Sequence, residues 1–118
     1  MAITAGAITT DCGNAAELAA FWSEALGVPI DDGASPFFAS IGRSEGSDLN
    51  PIWMFIKVPE GKTAKNRQHI DFFAEDREAE VERLVGLGAT RIADKDEYGT
   101  RWTTLEDPEG NVFDIASH

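Results

Sequence analysis

Residues 9–30 read TTDCGNAAELAAFWSEALGVPI, and the reading of this stretch decides how the rest of the chain is organised. It begins inside a short extended run, Ala7 to Cys12. Asn14 then offers a side-chain oxygen to the first free amides of a helix, and Glu17 stands three residues on, as in a capping box. Leu18, Phe21, Trp22 and Ala25 recur at helical spacing. Gly27 suits the left-handed turn that ends a helix, and Pro29 prevents its resumption. Two extended stretches follow, SPFFASIGR at 35–43 and PIWMFIKVP at 51–59, separated by a polar loop.

The same order returns in the second half. HIDFFA at 69–74 reads as a strand, and Asp76 can cap a helix with an apolar stripe of Val81, Leu84 and Val85. Gly88 stops that helix, and the ending GLG matches the earlier ALG at an offset of about sixty residues. TRIADKD, TRWTTLE and NVFDIAS then read as three strands. The tetrapeptide DPEG at 107–110 places Asp, Pro and Gly at the positions a type I turn favours. Each half is thus a strand, a helix and two or three strands. The expected fold class is α+β, one domain over 1–118 made of two βαβββ modules. The first covers 1–58, residues 59–68 (PEGKTAKNRQ) form the linker, and the second covers 69–118.

Bulk properties narrow the function. The chain has 118 residues, enough for one real core. Its net charge of −11 repels nucleic acid and anionic lipid, so neither is an expected partner. No apolar run reaches the length of a membrane span, and no signal-peptide pattern is visible. Cys12 is the single cysteine, which excludes an intrachain disulfide and a cysteine-based zinc site. A cytoplasmic location fits these features. No glycine-rich phosphate loop and no nucleophile elbow occurs.

The order of elements, with the motifs AAFWSEALG, KNRQHIDF, LVGLGAT and DPEGNVFDI, resembles the vicinal oxygen chelate superfamily. That superfamily includes glyoxalase I, extradiol dioxygenases, and bleomycin- and fosfomycin-resistance proteins. The resemblance covers nearly the whole chain and implies curved sheets forming a cup, and a homodimer. It also implies metal ligands, one from each of four strands. His69 matches one such position, and Asp114, after the DPEGN turn, matches another that is usually Glu. The position equivalent to His69 in the first half falls at about Ala7, which cannot ligate. The strand 52–58 holds no His, Asp, Glu or Gln, and Met54 is a poor ligand for the metals concerned. Half of the family's metal site is therefore present.

Strand alternation sorts the side chains by face. His69, Asp71 and Phe73 share one face, and Ile70, Phe72 and Ala74 the other. Val112, Asp114 and Ala116 face away from Phe113 and Ile115. Three readings of His69 and Asp114 follow. They form a divalent metal site (zinc, nickel, manganese or iron) completed by Asp11, Asp71, water or a dimer partner. They are a hydrogen-bonded pair that lines a ligand pocket and serves as catalytic base or polar anchor. Or they are a structural pair. Trp53, Phe55, Trp102 and Phe37, together with Asp71, are the expected ligand-binding residues, their rings walling the cup. Trp22 belongs to the core, and Tyr98 sits in a turn at the rim.

The reading that results is a protein that binds a small organic molecule in an aromatic-lined cup, with no cofactor expected. One alternative is a lyase, isomerase or dioxygenase that uses His69 and Asp114 around a divalent ion. The other is a non-catalytic scaffold with a vestigial cup.

Overall fold

The computed structural model describes residues 3–44 and 46–117. It is α+β and divides into two compact units, residues 1–61 and 62–118. Each carries a mixed sheet with one helix.

In the first unit the order is β1 (Ala7–Cys12), α1 (Ala15–Leu26), β2 (Phe38–Ile41) and β3 (Ile52–Lys57). The sheet order is β1-β3-β2, with β1 parallel to β3 and β2 antiparallel to it. An isolated antiparallel bridge joins Ile30 to Ile41. The Asn14 side chain accepts the Glu17 amide at 3.1 Å, and Gly27 closes α1 in the left-handed region at φ 67°. The helix buries Ala15, Leu18, Ala19, Phe21 and Trp22.

That buried face meets Trp53, whose ring centroid lies 4.5 Å from that of Trp22 and 5.3 Å from that of Phe55. The Trp53 indole N–H donates to Thr10 Oγ1 at 2.8 Å, so the polar edge of the ring is satisfied inside the core. Trp53 and Phe55 were expected to wall a ligand cup, and the structure places both against α1. They are 6% and 0% exposed and form the centre of the first core. The face of β3 turned away from α1 carries Met54 and Ile56 instead.

Phe37, also expected to bind ligand, belongs to the first unit as well. It lies just before β2, 68% exposed, with the Lys57 ammonium 5.2 Å from its ring centroid. Phe38 pairs with Ile56 in register and shares its face.

The second unit runs β4 (Ile70–Ala74), α2 (Arg77–Leu87), β5 (Thr90–Glu97), β6 (Thr100–Glu106) and β7 (Val112–Ser117). The sheet order β4-β7-β6-β5 repeats the plan of the first, a parallel pair followed by antiparallel neighbours. The Asp76 side chain accepts the Ala79 amide at 3.1 Å, and the Gly88 N–H closes the helix on Leu84 and Val85. Val81 and Leu84 are buried, whereas Val85 is largely exposed, so the apolar stripe of α2 is narrower than its sequence suggests. Below it lie Leu105, Phe113 and Ile115. The opposite side of this sheet carries the polar side chains of interest.

Candidate functional site

The Asp107–Gly110 turn sets the register of the site. The Gly110 amide donates to the Asp107 carbonyl at 2.9 Å, closing the turn. The buried Asp107 carboxylate accepts the Glu109 and Asn111 amides at 2.9 and 3.0 Å. Such a side-chain-to-backbone clamp fixes where β7 begins. With that start, Phe113 and Ile115 enter the core and Asp114 points the other way.

β7 lies between β4 and β6, so Asp114 has a neighbour on each side. It pairs in register with Asp71 of β4 and with Thr104 of β6. The Thr104 hydroxyl donates to Asp114 Oδ1 at 2.6 Å. His69, one residue before β4, shares the face of Asp71. Its Nδ1 lies 2.8 Å from Asp71 Oδ1 and 3.6 Å from Asp114 Oδ2. The carboxylates favour the tautomer with the proton on Nδ1. Nε2 then keeps its lone pair, which can accept a proton, a hydrogen bond or a metal. Asp114 is the most sheltered member, its side chain 14% exposed.

His69, Asp71 and Asp114 line a cavity of about 450 Å³. Phe73, Trp102 and Ala116 form part of its wall. Glu97, Tyr98 and Thr100, from the β5–β6 hairpin, complete it. Tyr98 and Gly99 both have positive φ, 55° and 75°, as a two-residue turn between right-twisted strands requires. The turn brings Glu97 and Thr100 opposite one another in register. Tyr98 is 95% exposed at the cavity mouth.

Of the side chains expected from sequence, His69, Asp71, Asp114 and Trp102 thus surround one cavity, while Trp53, Phe55 and Phe37 lie in the first unit. Glu97, Phe73, Thr100 and Thr104 were not among the expected binding residues. The signal for three of them was present: Thr100, Trp102 and Thr104 alternate along β6, and Phe73 follows His69 and Asp71 at the same period.

Among the described residues, His69, Asp71 and Asp114 are the one group of metal-ligating side chains, each offering an atom within 4.8 Å of the others. Two donors on one first-row divalent ion, each at about 2.1 Å, stand roughly 3–3.4 Å apart. The Nδ1–carboxylate separations of 2.8 and 3.6 Å bracket that spacing, so a metal would bind Nδ1 in place of its proton, in the other tautomer. One imidazole and two carboxylates also form a donor set such ions accept. The residues therefore fit a three-ligand site. β3, however, supplies Ile52, Trp53, Met54, Phe55, Ile56 and Lys57, with no imidazole or carboxylate among them.

Two mixed sheets of the same plan, each with one helix, are the fold of the glyoxalase/bleomycin resistance/dioxygenase class. Residues 7–116 match the family model described as a glyoxalase-like domain, and the chain belongs to that family. No curated protein matches the chain.

Solved structures agree on the fold. A glyoxalase/bleomycin resistance protein/dioxygenase family enzyme from Burkholderia phytofirmans PsJN is similar at TM-score 0.73 and 21% identity, over 95% of this chain and 96% of that one. The fosfomycin resistance protein FosX from Listeria monocytogenes is similar at TM-score 0.76 and 13% identity, over 100% and 95%. The bleomycin-binding protein from Streptomyces verticillus, solved with copper(II)-bleomycin, is similar at TM-score 0.65 and 16% identity, over 100% and 99%.

Proposed function

We propose that the protein binds a small organic molecule in the cavity of its second unit. Phe73, Tyr98 and Trp102 act as apolar walls, and His69, Asp71 and Asp114 as polar anchors. The observation that carries this reading is the convergence of three rings and a hydrogen-bonded His–Asp group on one cavity of about 450 Å³. That volume lies in the range of small-molecule sites, roughly 300–1,000 Å³. Aromatic walls supply burial and stacking, while a few fixed polar groups orient the ligand.

The test is a screen of charged and neutral aromatic compounds by NMR, followed by titration of a hit. Trp102→Ala and Asp114→Asn should each weaken binding at least about tenfold. Unchanged affinity in both variants would remove the cavity from consideration.

A second reading is a metal-dependent lyase, isomerase or dioxygenase, favoured by the three donors of His69, Asp71 and Asp114. These residues would hold a divalent ion, which when bound would polarise a substrate oxygen. His69 would then serve as a ligand rather than as a free base. Elemental analysis, then calorimetric titration with zinc, nickel, manganese and ferrous iron, separates the two readings. Stoichiometric binding lost in both His69→Ala and Asp114→Ala favours the enzyme. No binding by the intact protein leaves the metal-free pocket.

A further inference from the structure

We infer that the ligand of this cavity is an organic cation, such as an amine or quaternary ammonium attached to a flat or apolar body. The inference rests on the pocket reading above and names the chemical class that the pocket selects. Two independent features of the cavity converge on it.

The first is charge. Asp71, Glu97 and Asp114 line the cavity, and none of the lining residues is Lys or Arg. With His69 neutral the lining therefore carries three negative charges. Lys95 pairs with Trp102 in register and so lies on the same face of the hairpin, but it does not line the cavity. An anionic ligand would meet repulsion from all three carboxylates. A neutral ligand filling the space would strip water from them and add no partner to those that His69 and Thr104 already supply, which is unfavourable for charged groups. A cation supplies that partner. The net charge of −11 adds a long-range field of the same sign, which raises the encounter rate for cations.

The second feature is the set of rings. The faces of Phe73, Tyr98 and Trp102 carry the negative side of an aromatic quadrupole, which attracts cations, and alkylammonium groups above all. A purely apolar pocket would use aliphatic side chains equally well. Here three rings stand with three acids, and the one aliphatic lining residue is Ala116. Asp114 keeps acceptor capacity for a ligand, since Oδ1 takes the Thr104 hydroxyl at 2.6 Å and Oδ2 lies 3.6 Å from His69 Nδ1.

The deciding experiment titrates the full chain, in EDTA, with three probes of similar size: phenyltrimethylammonium, its neutral isostere tert-butylbenzene, and benzenesulfonate. Amide and indole NMR shifts report affinity and place. Phenyltrimethylammonium should bind at least about tenfold more tightly than tert-butylbenzene, shifting the Trp102 indole and the Glu97 amide, and benzenesulfonate should not bind. The preference should shrink with added salt, and in an Asp71→Asn/Glu97→Gln double variant, whose exposed positions do not threaten folding. Affinity for tert-butylbenzene should not fall in that variant, because the neutral ligand no longer strips water from two of the carboxylates.

Equal affinity for the cation and its isostere at Trp102 overturns the inference and leaves the pocket reading standing. A preference for benzenesulfonate overturns it as well. If the cation fails to bind while a neutral hit from the screen occupies Trp102, the inference is again overturned alone. If nothing binds at Trp102 at all, the pocket reading falls with it.

Discussion

Asp71 and Asp114 are register partners on the parallel strands β4 and β7, and the same nitrogen of His69 lies within 3.6 Å of an oxygen of each. Two carboxylates side by side repel, so the arrangement needs a donor between them. His69 Nδ1–H provides it. The first prediction concerns this proton. Imidazole ¹⁵N shifts should show His69 in the Nδ1–H tautomer when neutral, with Nε2 unprotonated. Asp71→Asn should move the ring toward the ordinary tautomer mixture. The second histidine of the chain, His118, serves as an assignment control. An Nε2–H ring in the unmodified protein would contradict the assignment.

Thr104 holds Asp114 from the other side, at 2.6 Å. Hydrogen bonds to charged groups contribute about 1.5–3 kcal/mol when the acceptor is sheltered. Asp114 is sheltered, so Thr104→Val should lower stability by roughly 1–2 kcal/mol in urea titration, and Thr104→Ser should recover most of that. A Val variant with an unchanged midpoint would mean that Asp114 is solvated in place of the lost hydroxyl.

Trp53 and Trp102 separate core from site. Trp53 packs on Trp22 with its indole N–H satisfied by Thr10, so Trp53→Ala should cost about 3–5 kcal/mol of stability. Trp102 is only half-buried against the cavity, and Trp102→Ala should cost less, roughly 1–2 kcal/mol, because less ring area leaves contact. Ligand affinity should follow the opposite order once the fraction folded is accounted for. A Trp53 variant that folds stably yet loses binding would return Trp53 to the site.

The same two residues mark what the sequence could tell. β7 reads Val-Phe-Asp-Ile-Ala-Ser, and one acid among apolar neighbours identifies its solvent face from alternation alone. β3 reads Ile-Trp-Met-Phe-Ile-Lys, apolar on both faces, so alternation pairs Trp53 with Phe55 without saying which side the helix takes. Phe37 and Phe38 pose the same problem, and only the register of Phe38 with Ile56 resolves it. The helices were legible because Asn14, Gly27, Asp76 and Gly88 are chemical punctuation with few alternatives. Strand order was not, since no local feature states that β7 inserts between β4 and β6. That insertion is what sets Asp71 and Thr104 on either side of Asp114. Glu97 and Tyr98 joined the cavity through the hairpin turn, whose positive φ at Tyr98 is unusual for a bulky residue.

Acid sensitivity should arise away from the cavity, at Arg91. Its guanidinium grips Glu78 at 3.0 and 3.2 Å and Asp94 at 2.8 and 2.9 Å. The Arg91 hydrogen bond holds the Glu78 carboxyl below its ordinary value of 4.5. The Thr103 hydroxyl first, and Arg91 second, hold Asp94 below 3.8. Both folded values are depressed, so the unfolded chain binds more protons and stability rises with pH across this range. The contribution is fully present above the ordinary values and is lost as pH falls through the lowered ones. Because these groups are exposed, the effect at neutral pH is small and screened by salt. Arg91→Met should flatten the acid limb of stability below about pH 4.5, measured by urea titration at stepped pH. Thr103→Val should raise the titration midpoint of the Asp94 carboxyl by NMR and leave that of Glu78 in place. An acid limb unchanged by Arg91→Met would assign acid unfolding to other carboxylates.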